Sequence, residues 1–376
     1  MKMFQNITQV HQYNNCDEFI KEFKIGESDF ILATKTIYNK YFAEKGLKAK
    51  VFFKSDYGKG EPTDRMVNAL LEDFRKSGCS RVIAIGGGAV IDMAKILVLA
   101  GNGDAADYYQ KKVELKKELP IIAVPTTCGA GSEVSSVTIA EFVDMGTKIG
   151  LADPSLFPDY AIIIPELLTE LSYDFFATSA IDALIHAIES YVSPKANLYT
   201  RMFACKAMEI LLKGFRLISE NGPEYRFNLL EEFLVASNLA GISFANAGTG
   251  AVHAMSYPLS GVYHVTHGEA NYQFLTEVFK HYQAANPTGF ITELNEFLGD
   301  ILECNPDDVY PEIEKLLDSV IAKKPLHEYG MKEEEIESFA VSVEKSQQRL
   351  LNQSYVKFSV EAVSYTHLTL PTKLEV

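Results

Sequence analysis

Two well-separated stretches of this chain carry side chains that make chemical sense only if they meet. The first, S-A-I-D-A-L-I-H-A-I-E-S-Y from Ser179, places Asp182 and His186 four residues apart. On an α-helix that spacing stacks both on one face, with Cβ atoms about 5–6 Å apart, so a carboxylate oxygen and an imidazole nitrogen can reach one ion. The second, A-V-H-A-M-S-Y-P-L-S-G-V-Y-H-V-T-H-G-E-A-N, holds His253, His264 and His267, three of the eight histidines in the chain. On one unbroken helix His253 and His267 would sit roughly 21 Å apart and could share nothing. Pro258 removes a backbone donor, and Gly261 and Gly268 favour a break, so the stretch is expected to fold back and bring both rings together. The expected constellation is Asp182, His186, His253 and His267 around a divalent cation, Fe2+ or Zn2+. An isolated Asp-x-x-x-His pair is more often a solvated or core polar pair. Here Ala183, Leu184, Ile185, Ala187 and Ile188 imply a helix buried on most sides, where an ionised Asp and a His need a partner that a metal supplies.

The chain has 376 residues, long for one core, which makes two domains the expectation. With 35 basic against 50 acidic side chains its net charge is −15, which argues against nucleic acid and against anionic membranes as partners. The five cysteines are scattered, odd in number and without a Cys-x-x-Cys pair, so a reducing compartment fits better than a disulfide framework. The opening M-K-M-F-Q-N-I-T-Q-V lacks the apolar run of a signal peptide, and Asp92 and Lys95 interrupt the most apolar later segment. A cytoplasmic protein is expected.

In the first half, Asp29–Thr34 and Lys50–Phe53 read as short buried strands. Thr63 opens a helix with apolar positions at Met66, Ala69, Leu70, Leu71 and Phe74 that stops near Gly78, and Arg81–Ile85 forms the next strand. Strands alternating with helices imply a parallel sheet with helices on both faces. Gly86, Gly87 and Gly88 follow that strand and precede a helix, so the backbone there can approach a diphosphate while free amides and the helix dipole attract its charge. Ile91 stands where a G-x-G-x-x-G fingerprint would have its third glycine, and three glycines alone read equally as a tight turn. The next strand, L-P-I-I-A-V, leads into P-T-T-C-G-A-G-S-E, a second glycine- and hydroxyl-rich loop at the sheet edge where dinucleotides bind in open α/β sheets.

Three prolines surround one short apolar strand in P-S-L-F-P-D-Y-A-I-I-I-P, which suits a domain junction. Beyond it helical periodicity dominates: residues 199–217, 225–245, 268–284, 287–302, 307–323 and 331–351, a helical bundle. The expected division is residues 1–163 as a Rossmann-like dinucleotide-binding domain, 164–363 as a helical metal-binding and substrate domain, and 364–376 as a non-native tail. The terminal S-Y-T-H-L-T-L-P-T-K-L-E-V resembles a cloning junction and is left out of the fold.

These motifs resemble those of the iron-containing alcohol dehydrogenase family: G-G-G-S-x-x-D-x-x-K and P-T-T-x-G-T-G-S-E, here with Ala89 and Ala130 as small departures, followed by the Asp-x-x-x-His helix and two histidines fourteen residues apart. The phrases I-P-E-L-L, S-P-K-A, Y-P-L-S-G, H-G-E-A-N-Y-Q-F and E-Y-G-M-K-E-E-E-I-E look most like its 4-hydroxybutyrate dehydrogenase branch. The resemblance implies an α/β dinucleotide-binding domain with a parallel sheet, followed by an all-helical domain, the dehydroquinate synthase-like fold. It implies an NAD-dependent enzyme, with a homo-oligomer as the expected assembly. Gly87, Gly88 and Ala89 would then contact the pyrophosphate, with Gly86 beside them in the cofactor site, Thr126 and Thr127 the adenosine side, and Lys95 and Lys148 the ribose nearer the nicotinamide. Asp92 and Ser132 belong to the same motifs, although Asp92 reads equally as a helix-surface residue and Ser132 with Glu133 as a helix cap. Many relatives end the first strand with an Asp that repels the extra phosphate of NADP; Thr34 followed by Lys35 stands there, which removes that repulsion and leaves NADP open, while the branch resemblance still favours NAD.

A nicotinamide and a Lewis-acidic metal together imply hydride transfer between an alcohol or aldehyde carbon and the cofactor, with the oxygen on the metal. His264 or Tyr257 is the candidate proton relay, most relatives having a histidine where Tyr257 stands. The implied substrate is a small alcohol or aldehyde bearing a carboxylate, the pair 4-hydroxybutyrate and succinate semialdehyde, with a generic iron-dependent primary alcohol or diol dehydrogenase as the alternative. A dehydroquinate synthase-like lyase is a further alternative, but it would surround a phosphorylated substrate with Arg and Lys, and residues 253–267 contain neither.

Overall fold

The computed structural model describes residues 3–359, so the expected non-native tail at 364–376 lies outside the described residues. The chain divides into two compact units, residues 6–171 and residues 172 onward together with the first five.

The first unit is built on strands β1 (Gln9–Gln12), β2 (Asp29–Ala33), β3 (Lys50–Phe53), β4 (Arg81–Gly86), β5 (Ile121–Pro125), β6 (Val137–Phe142), β7 (Thr147–Ala152) and β8 (Tyr160–Ile163). Its helices are α1 (Cys16–Phe23), α2 (Lys35–Tyr41), α3 (Lys54–Tyr57), α4 (Asp64–Ser77), α5 (Gly88–Leu97) and α6 (Ala105–Tyr109). Six strands form one sheet in the order β1-β8-β5-β4-β2-β3, every neighbouring pair parallel. Apart from Asp29 and Arg81 at the starts of β2 and β4, the central strands are apolar because both faces are covered. Phe30, Leu32, Val82, Ala84, Ile121 and Ala123 point into one core with residues of α4, α5 and α6. Their alternates Ile31, Ala33, Ile83, Ile85, Ile122 and Val124 point into the other with α1 and α2.

The chain leaves β2 towards β3 on one side and returns to β4 on the other, so β2 and β4 are neighbours whose following helices pack on opposite faces. That is the topological switch point, where open parallel sheets hold nucleotides beyond the strand ends. The four strands read from β2 to β5 and the strand between the prolines, β8, lie where periodicity placed them. An antiparallel pair, β6 with β7, was not foreseen. Its residues alternate buried and half-buried along V-T-I-A-E-F, a period of two that the neighbouring glycine-rich loop obscures.

The second unit consists of α7 (Tyr173–Val192), α8 (Leu198–Asn221), α9 (Leu230–Ala247), α10 (Ala251–Tyr263), α11 (His267–Ala285), α12 (Phe290–Leu302), α13 (Val309–Val320), α14 (Ile336–Ser346) and α15 (Gln348–Leu351). Among the described residues it contains no named strand. Helix α7 is buried along nearly its whole length, from Phe176 to Val192, with few gaps. It starts where the Ser172 hydroxyl accepts the Phe175 amide.

Three helical spans differ from expectation, and the one read over 331–351 resolves into a 3-10 turn, Glu333–Glu335, followed by the separate helices α14 and α15. The segment expected as one helix over 225–245 begins with a 3-10 turn, Pro223–Asn228, before α9, because Gly222 with φ 88° ends α8 and Pro223 opens a new turn. More consequentially, Pro258 and Gly261 do not break the histidine stretch. Pro258 lies inside α10, and the reversal falls at His264, whose backbone takes the left-handed conformation with φ 56° and ψ 28°. Non-glycine residues are uncommon there, histidine less so than most, and the conformation costs about 1–2 kcal/mol. Three residues thus turn α10 into α11, and His267 becomes the first residue of the new helix.

Candidate metal centre and nucleotide loops

Asp182 and His186 project from one face of α7, His253 from the first turn of α10 and His267 from the start of α11. One ligand atom from each of the four lies within 4.8 Å of all the others. The Asp182 carboxylate is the hub: its oxygens stand 4.0 Å from His186 Nδ1, 3.8 Å from His253 Nε2 and 3.9 Å from His267 Nε2. Rings of His186 and His253 stack at 4.7 Å, and Phe244 backs His186 at 4.4 Å. Burial raises the pKa of Asp182, but the three imidazoles and the Asn271 amide outweigh it and hold the carboxyl below its usual range.

The donor set fits a divalent ion. Donors each about 2.1 Å from a common ion stand ~3.4 Å apart in a tetrahedral site, so the four atoms, now within 4.8 Å of one another, would draw in by at most about 1.4 Å per pair. His253 Nε2 is buried and has no hydrogen-bond partner, a costly state for a nitrogen lone pair unless something is meant to occupy it. Nitrogen-rich donors with one carboxylate suit iron and zinc better than magnesium or calcium.

Two residues in this centre were not foreseen. Glu189, 2 % exposed, accepts from His253 Nδ1 at 2.6 Å and from the Val252 amide at 2.7 Å. Asn271, fully buried, donates to Asp182 Oδ1 at 2.7 Å and approaches His267 Nε2 at 3.2 Å. Helical spacing could have flagged both: Glu189 is three residues beyond His186, and Asn271 is four beyond His267. Gly268 also has a role other than the expected break. A Cβ there would stand 2.3 Å from the Thr178 carbonyl oxygen, so glycine is what allows α11 to lie against α7.

In the first unit the two glycine-rich loops are in contact. The Thr126 amide donates to the Gly86 carbonyl at 3.1 Å. A Cβ at Gly86 would meet Val90 at 2.5 Å, one at Gly87 would meet Thr127 at 3.0 Å, and one at Gly88 would meet Ala130 at 2.7 Å. Ala89 occupies the first turn of α5, and Gly87 is its N-cap, with no side chain to claim the free amides.

Asp92 and Lys95 are interior residues. Lys95 Nζ, wholly buried, donates to Asp92 Oδ1 at 3.3 Å, Ser135 Oγ at 3.2 Å and the Val137 carbonyl at 2.6 Å. Those three acceptors use all three of its protons. Asp92 Oδ2 accepts the Ile139 amide at 3.1 Å, so the pair ties α5 to β6. Desolvation raises Asp92 and lowers Lys95, each partly offset by the other's charge. Ser132 is buried in the turn that follows the second loop, and Lys148 is half-buried on β7. Tyr257 is half-buried one turn beyond His253 on α10, and His264 is exposed at its end.

Family models decide what this arrangement belongs to. Residues 5–165 match the model for iron-containing alcohol dehydrogenase, and residues 176–368 match the C-terminal model of the Fe-containing alcohol dehydrogenase family. The chain belongs to the iron-containing alcohol dehydrogenase family. Among the relatives of this iron-containing dehydrogenase is a 4-hydroxybutyrate dehydrogenase of Clostridium kluyveri, 48% identical over 370 residues, which cover 98% of this chain and 100% of the relative. A 1,3-propanediol dehydrogenase of Citrobacter freundii is 32% identical over 69% of this chain and 66% of its own. A solved sulfoacetaldehyde reductase from Bifidobacterium kashiwanohense, in complex with NAD+, superposes with a TM-score of 0.84 over 98% of both chains at 23% identity, a likeness of fold. Among the described residues no helix is long and apolar enough to cross a membrane.

Proposed function

We propose that this iron-type alcohol dehydrogenase interconverts 4-hydroxybutyrate and succinate semialdehyde with NAD and NADH. The observation that carries the reading is the 48% identity maintained along the whole length of the Clostridium kluyveri 4-hydroxybutyrate dehydrogenase. Asp182, His186, His253 and His267 would hold Fe2+ or Zn2+. Gly86, Gly87, Gly88 and Ala89 would lie along the pyrophosphate, with Thr126 and Thr127 beside the adenosine half and Lys148 towards the other ribose. Asp92 and Lys95 would act from beneath by fixing β6 to α5, and Ser132 by shaping the second loop.

When bound, the metal polarises the alcohol or aldehyde oxygen and the nicotinamide gives or takes hydride at the attached carbon. The chain's own part is to fix its donors, exclude water and move a proton. Tyr257, one helical turn from His253, and His264, near His267, are the candidates for that proton. Residues 1–163 would serve the nucleotide and 164–363 the metal and substrate. All five cysteines are free thiols, which supports a cytoplasmic home, and the family resemblance supports a homo-oligomer.

Purified enzyme is expected to oxidise NADH faster with succinate semialdehyde than with butanal, as followed by loss of nicotinamide absorbance. Equal rates with the two aldehydes would leave a generic primary alcohol dehydrogenase in place of this assignment.

A further inference from the structure

Helix α10 begins at Gly250, which has no side chain to accept the first free amides of the helix. The missing acceptor comes from α7. Glu189 Oε1 takes the Val252 amide at 2.7 Å, and a Cβ at position 250 would stand only 3.3 Å from that same oxygen. Glu189 Oε2 meets His253 Nδ1 at 2.6 Å. The Val252 amide is always a donor, so Glu189 Oε1 is an acceptor. With Oε2 accepting as well, its 2.6 Å contact places the imidazole proton on Nδ1. The lone pair is then on Nε2, the buried atom that has no hydrogen-bond partner and faces Asp182.

We propose that Glu189 is the positioning residue of the metal centre: one oxygen caps α10, and the other selects the His253 tautomer whose Nε2 is offered to the ion. The inference rests on His253 being a ligand. It makes a sharp statement about the amide variant, because both carboxylate oxygens accept and a Gln has one acceptor. In Glu189→Gln the Val252 amide claims that single oxygen. The NH2 group then faces Nδ1, and the imidazole proton must move to Nε2, where it blocks the donor.

The test uses the full chain labelled with 15N-histidine, metal-free, at a pH of about 8.5, above the ordinary range of imidazole. The His253 signals are identified by their loss in His253→Gln. Wild type is expected to show Nδ1–H, and Glu189→Gln to show Nε2–H with affinity for Zn2+ lower by about 10- to 100-fold in chelator competition, the usual range for an outer partner of a ligand. A Glu189→Gln variant that keeps Nδ1–H and wild-type affinity overturns the proposal. Should that variant not fold, the wild-type spectrum decides alone, since Nε2–H there overturns it and Nδ1–H supports it. Wild type that binds no Zn2+ would instead overturn the metal centre itself.

Discussion

Asp182→Asn is expected to yield a folded protein that no longer retains metal through desalting and whose kcat/KM with added metal is lower by roughly three orders of magnitude, equivalent to ~4 kcal/mol. The substitution keeps the shape of the side chain and an oxygen that can accept from Asn271 Nδ2, now at 2.7 Å. What it removes is the one negative charge standing about equally far from all three imidazoles. Without that charge the three nitrogens must share a divalent ion with no carboxylate among its direct donors. Elemental analysis, steady-state rates and thermal unfolding of the same preparation separate the effect on metal from any effect on folding. Wild-type metal content and rate in this variant would show that Asp182 is an ordinary buried carboxylate.

Gly268→Ala is expected to act through packing. The added methyl would stand 2.3 Å from the Thr178 carbonyl oxygen and 2.9 Å from its carbon, atoms of a helix backbone that cannot rotate away. Helices α7 and α11 must separate, and with them Asp182 and His267, which lie next to the contact. Overpacking of this kind costs about 2 kcal/mol. The expected result is a melting temperature lower by roughly 4–8 °C, together with a metal affinity well below that of wild type. A control at Gly261, where a Cβ would meet nothing within 4 Å, should leave both quantities close to wild type. If Gly268→Ala and Gly261→Ala behave alike, close approach of the two helices is not what the glycine provides.

The first half of the fold was legible because a strand covered on both faces is a nearly continuous apolar run, and β2, β4 and β5 are such runs after the first residues Asp29 and Arg81. The convergence of Asp182, His186, His253 and His267 was legible for a different reason: ionisable residues on a helix as apolar as α7 demand a partner. What the sequence hid was the place of the reversal. Pro258 and Gly261 are the residues that break helices, yet α10 runs through both, and the turn is made by a histidine in a left-handed conformation. Local propensity was overridden there by tertiary packing, to which Gly268 contributes. Lys95 was hidden too. Its place in the G-G-G-A-V-I-D-M-A-K motif suggested a residue reaching for a ribose, whereas its ammonium lies inside the unit among three oxygen acceptors. Glu189 and Asn271 lay in plain sight at helical spacings from the ligands, but their partners, the Val252 amide and Asp182, come from other elements of the fold.

The most direct test measures metal content and NADH-linked turnover of succinate semialdehyde on one preparation, before chelation, after it, and after Fe2+ or Zn2+ is restored. The account predicts about one iron or zinc ion per chain, as for a single four-donor site, with activity that disappears on stripping and returns on restoration. Undiminished turnover by protein shown to contain no metal would contradict it.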